Sequence, residues 1–98
     1  LYLMEATSKS GESFYKIGIS VRPKLRVRQM ENSSGLEYSF EIIHLHKSDG
    51  VSCFNLELAL HKKFWDMRYT PKVSFSGSTE CFSHIDPHEF TKLVSSVC

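Results

Sequence analysis

The run YKIGIS, Tyr15 to Ser20, sets a lysine inside an otherwise apolar, β-prone stretch. A strand facing water alternates polar and apolar side chains, and a buried strand carries an ammonium only where something nearby wants the charge. Glu57 raises the same question on a helical pattern. Cys53, Phe54, Leu60 and His61 lie one turn either side of it. A carboxylate bordering an apolar stripe is costly unless it is paired, hydrogen-bonded or bound to a metal. Magnesium takes few protein carboxylates and keeps several waters, so one glutamate plus a substrate phosphate would suffice. The plain alternative is a rim glutamate reaching water, or an ion pair with Lys62 or Lys63. Arg22, Lys24, Arg26 and Arg28 form a basic cluster in a chain whose formal charge is only +1. A local patch of this kind can meet phosphates, although a solvated helix face has the same composition.

Other candidates carry less chemistry. His44 and His46 point the same way along a strand, but no third metal ligand accompanies them, and a strand-surface reading suffices. Cys53, Cys81 and Cys98 are odd in number and widely spaced, with no C-x-x-C pair. That argues against a disulfide framework or zinc knuckle and for a reducing, intracellular compartment, cytoplasm or nucleus. Cys53 and Cys81 read as small buried groups.

The elements that must position these residues follow from patterning. LYLMEA and FYKIGIS read as two strands of an antiparallel hairpin around the polar turn TSKSGES. RPKLRVRQMEN reads as a helix with Pro23 in its first turn and Gly35 as its stop. Val21, Leu25 and Met30 give it a thin apolar stripe. YSFEIIHLHK is a third strand, closed by the turn Ser48-Asp49-Gly50. Val51 to Met67 is a helix with Leu56, Leu60 and Phe64 at helical spacing and Cys53 one turn before. YTPKVSFSGST is a loop and ECFSHI a short final strand. A terminal helix over 86–97 has Asp86 as its cap, Pro87 in its first turn and Glu89 in a capping box. Phe90, Leu93, Val94 and Val97 form its apolar face.

The order is β-β-α-β-α, then a short β and a terminal α. It predicts an α+β domain with a small antiparallel three-stranded sheet flanked by helices. The 98 residues suit one domain, and a start at Leu1 rather than methionine leaves room for an excised piece of a longer chain. Hydrophobic content of 41% with 23% charged residues excludes a disordered chain. No apolar run reaches the ~20 residues of a membrane helix.

Taken together, LYLM, YKIGIS, RPKLRVRQM, NLELALHKKF and GSTECF resemble, in order, the motifs of the GIY-YIG nuclease superfamily. The resemblance is to its branch of phage and viral T5orf172-like domains, whose second strand reads K-I-G-I-S. It covers nearly the whole chain. It implies that Tyr2 is the tyrosine of the first motif and that Lys16 replaces the tyrosine of the second. Gly18 is then the glycine that follows, Arg26 the helix arginine and Glu57 the metal-binding glutamate. The chain departs from the pattern where only Leu1 precedes Tyr2, and at Cys81, where tryptophan is frequent.

The resemblance implies a divalent-metal-dependent endonuclease using Mg2+ or Mn2+, with catalytic Tyr2, Lys16, Arg26 and Glu57. Arg22, Lys24, Arg28 and His61 would bind substrate. Phosphodiester cleavage needs an activated water, charge neutralisation at phosphorus and help for the leaving oxygen. Tyr2 offers a phenol as proton acceptor or relay. Lys16 would lower its proton affinity or bind phosphate as a point charge. The alternation of the strand also allows Tyr15 inward and Lys16 outward in water. Arg26 can hold two phosphate oxygens with its planar fork. The expected partner is nucleic acid, DNA before RNA, with no membrane. A further domain or a homodimer would supply specificity. The competing readings are a non-catalytic nucleic-acid-binding module and a protein-interaction domain.

Overall fold

A hairpin opens the chain because the polar segment around Gly11 interrupts two apolar runs. β1 (Tyr2–Ser8) and β2 (Ser13–Gly18) pair antiparallel, with Tyr2 opposite Gly18 and Met4 opposite Lys16. The computed structural model describes residues 1–47 and 49–97, apart from the side chains of Ser96 and Val97. Ser48 of the expected turn, the Val97 side chain of the expected terminal face and Cys98 therefore lie outside the described residues.

α1 (Pro23–Ser33) follows, with the proline in its first turn as expected. Gly35 takes φ +69° just past the helix, a conformation glycine adopts at little cost. β3 (Tyr38–Leu45) then returns antiparallel to β1 on the side away from β2. α2 (Gly50–Lys63) is capped by Asp49, whose carboxylate accepts from the Ser52 backbone N–H at 2.9 Å. The helix stops at Lys63, short of the expected Met67; Trp65–Met67 tighten into a 3-10 turn. A loop leads to a second 3-10 turn, Ser78–Glu80, then β4 (Cys81–Phe82) and α3 (Pro87–Val97).

The architecture is the expected α+β one, a small antiparallel sheet flanked by helices. The sheet has four strands in the order β3-β1-β2-β4 rather than three. The fourth is shorter than ECFSHI suggested. Glu80 is taken up by the 3-10 turn, and the Ser83 N–H turns away to the Met67 carbonyl at 2.8 Å.

Alternation along the strands sends side chains to both faces, and both are covered. On one face Leu3, Ile17 and Phe82 meet Leu56 and Leu60 of α2, Phe64 at its C-cap, and Phe90 and Val94 of α3. On the other, Tyr2, Met4 and Phe14 pack with Met30 of α1, Phe40 and Phe75. The expected stripe of α1 is corrected: Val21 is 97% exposed and Leu25 is exposed, while Met30 is buried. Of α1, Val27 and Met30 pack into this core, while Lys24 and Leu25 line a groove with Leu1 and Leu45. Among the described residues no helix is long and apolar enough to cross a membrane.

Candidate active site at the edge of the second strand

Phe82 of β4 makes an isolated bridge with Arg68, and β4 pairs with β2 only at Tyr15 and Lys16. Beyond them, the edge of β2 at Ile17 and Gly18 has no strand partner on that side among the described residues. Side chains from α2 and the second 3-10 turn gather there instead. His61 places Nε2 3.4 Å from the Ile17 carbonyl oxygen and sets its ring edge-on against Phe82 at 5.2 Å. Glu57 lies one turn before His61, so both leave α2 on the same side. Leu56 and Leu60, buried under the sheet, fix that rotation. Glu80 ends the 3-10 turn just before β4. One carboxylate oxygen of Glu57, one of Glu80 and one ring nitrogen of His61 all lie within 4.8 Å of one another.

Two cations border this group. Lys16 is 1% exposed, which overturns the reading that faces it to water. The alternation is as expected, but the face opposite Tyr15 is itself covered. The Lys16 ammonium pairs with Glu80 Oε1 at 3.4 Å and lies 5.6 Å from the centre of the Tyr2 ring. Arg26 reaches over from α1, its Nη1 donating to Ser76 Oγ at 3.1 Å and its Nη2 to the Ser76 carbonyl at 3.2 Å. A Cβ at Gly77 would sit 2.9 Å from both Arg26 Nη2 and Lys16 Cε. Gly77, at φ +91°, therefore lets two basic side chains close around one point of backbone. Gly18 plays a related part. A Cβ there would meet the Tyr2 hydroxyl, with Tyr2 Cζ 2.7 Å away, so the close approach this glycine permits is that of the Tyr2 ring.

Electrostatics follow from the geometry. Burial, and then the neighbouring charge and hydrogen bond of Glu80, push the Glu57 carboxyl up to about 7 against the opposing pull of Lys16. The pairing with Lys62 or Lys63 is not what forms: both lysines are exposed, and Lys63 lies over the Phe64 ring at 5.9 Å. Cys53 and Cys81 are buried as expected, and burial pushes the Cys81 thiol up to about 12, which disfavours a thiolate there. His44 is half-buried, its ring edge-on to Phe90 of α3 at 5.4 Å.

Tyr2, Lys16, Arg26, Glu57 and His61 thus come from β1, β2, α1 and α2 to one edge of the sheet. Arg22 and Lys24 instead line a groove of about 670 Å³ at the start of α1, with Ile19, Val21, Leu45 and His46. Arg28 is exposed, and two residues beyond Arg26 it falls on another side of the helix. Glu80, Ser76 and Gly77 are additions. Glu80 stood inside the GSTECF motif, and that motif was the available signal.

A model of the T5orf172 domain matches residues 1–98. The chain belongs to the T5orf172 domain family. The domain is also similar to a protein of Escherichia phage T5 that bears the name "Putative endonuclease", 26% identical over 96 residues. That alignment covers 98% of this T5orf172 domain but 32% of the relative. No solved structure matches it.

Proposed function

We propose that this T5orf172 domain is a divalent-metal-dependent endonuclease of the GIY-YIG type, hydrolysing phosphodiester bonds of nucleic acid, DNA before RNA. The observation that carries the reading is the convergence of two glutamates and a histidine with a buried lysine and an arginine on one strand edge. The name of the phage relative supports the same class of activity. The residues fit a divalent cation, since Glu57 is half-buried, faces a second carboxylate and lies beside an imidazole. When held by Glu57, such a cation supplies positive charge at the phosphate and the leaving 3′-oxygen.

The chain's own residues divide the remaining tasks. Arg26 orients two phosphate oxygens with its planar fork. Lys16 presents a desolvated point charge beside them, its ammonium 5.6 Å from the centre of the Tyr2 ring. Tyr2 relays the proton of the attacking water. Arg22, Lys24 and Arg28 track the nucleic-acid backbone, and sequence recognition falls to another domain or a second copy. One observation favours a module that binds without cutting: Tyr2 is only 1% exposed.

Cleavage of single- and double-stranded DNA and RNA, with magnesium or manganese, separates these readings. Glu57→Gln keeps the shape and removes the charge, and Tyr2→Phe removes only the hydroxyl. Each is expected to lower the rate on the order of a hundredfold or more. Equal rates in the wild type and both variants would sink the mechanism. A wild type that binds but cuts nothing leaves the binding module.

A further inference from the structure

We propose that Glu57, His61 and Glu80 form a three-donor site for a divalent transition ion, manganese or zinc, which the domain holds before nucleic acid arrives. The proposal rests on the reading of Glu57 as a metal ligand and extends it to two residues outside that reading. The three donor atoms lie within 4.8 Å of one another. Donors sharing one ion at ~2.0–2.2 Å and tetrahedral angles lie ~3.3–3.6 Å apart, so closure draws the three together by at most about 1.5 Å.

The donor set decides the ion. Magnesium prefers oxygen ligands and gives up its water reluctantly. A nitrogen donor beside two carboxylates suits manganese or zinc better. The surroundings of His61 fit this role. An Nε2–H donated to the Ile17 carbonyl at 3.4 Å leaves Nδ1 with its lone pair, and metal-binding histidines are commonly held by such a backbone acceptor. The other two donors are also anchored. Glu57 sits on the side of α2 fixed by buried Leu56 and Leu60, and Glu80 is held by Lys16 at 3.4 Å. Among the described residues Lys16 makes the one direct ion pair of this group, with Glu80, and it and the N-terminal ammonium act on Glu57 from further away. A dication between the glutamates offsets both charges and frees the Lys16 ammonium for an incoming anion.

The test is calorimetric titration of the metal-stripped chain with manganese, zinc and magnesium chlorides, with no substrate present. The wild type is expected to take one manganese or zinc ion at least tenfold more tightly than magnesium. His61→Gln should lose at least tenfold for manganese and zinc and leave magnesium within about threefold. Glu80→Gln should weaken all three. Because His61 packs on Phe82, His61→Phe, which keeps a ring without a donor, gives the same reading if His61→Gln does not fold. Equal affinity of wild type for magnesium and the transition ions overturns the proposal. So does wild-type manganese and zinc binding in the His61 variants. If Glu57→Gln alone abolishes binding, the three-donor site falls and the single-carboxylate site stands. If no ion binds the wild type, the three-donor site falls, while the single-carboxylate reading, which takes a substrate phosphate as a further ligand, is decided by the cleavage assay.

Discussion

Lys16 and Glu57 are the two residues whose charge the fold treats unusually. Removing an ammonium from water costs several kcal/mol, which the contact with Glu80 and the nearby Tyr2 ring partly offset. Glu57 solves its problem differently, by keeping its proton. Its folded carboxyl titrates near 7 against an ordinary 4.5, so the folded chain binds more protons than the unfolded one in between. The contribution of Glu57 to the stability of the metal-stripped protein is therefore full below about pH 4.5, falls as pH rises towards 7, and is level above. Thermal unfolding from pH 4.5 to 8 should show this decline in the wild type and a shallower one in Glu57→Gln. Parallel curves would refute the assignment. The sequence located both residues as anomalies. It did not show which face of β2 was wet, because alternation distinguishes two faces and is silent when both are covered.

Among the elements, the segment from Tyr69 to Glu80 has the least regular structure and carries three parts of the site, Ser76, Gly77 and Glu80. Its anchor is Glu12, in the turn between β1 and β2. Glu12 accepts from Tyr38 at 2.7 Å, from Tyr69, and from the Lys72 backbone N–H at 3.1 Å. Burial raises its carboxyl, but the bonds from Tyr69 and Tyr38 outweigh that and hold it below the usual range. Glu12→Ala leaves those donors without their acceptor and should cost about 1–3 kcal/mol in urea unfolding. An unchanged midpoint would remove Glu12 as the anchor. None of this was legible beforehand, since contacts across 57 and 60 residues leave no periodic trace. β4 was hard to bound for a related reason: two residues have no period. The stripe of Leu56, Leu60 and Phe64 was plain because three turns of helix repeat it, and all three are buried.

For the whole molecule, near-neutral charge hides an uneven surface. Lys24 and Arg28 are exposed on the helix that carries Arg26, and Arg22 is exposed at its N-cap. If nucleic acid lies along that helix, Arg22→Ala, Lys24→Ala and Arg28→Ala combined should reduce the slope of log affinity against log salt by about 2–3 for duplex DNA. Fluorescence anisotropy at several salt concentrations measures it, and an unchanged slope takes α1 off the binding surface. The pair formed by Lys16 and Glu80 has a consequence in time. The two are 64 residues apart in the chain. A ribosome adding ~5–20 residues per second makes the glutamate roughly 3–13 s after the lysine. Until then the nascent hairpin has no counter-charge for its ammonium and no second carboxylate for Glu57. The candidate site is thus completed only once Glu80 has been made, and a chain truncated before Glu80 carries three of the four strands of the sheet without that ion pair.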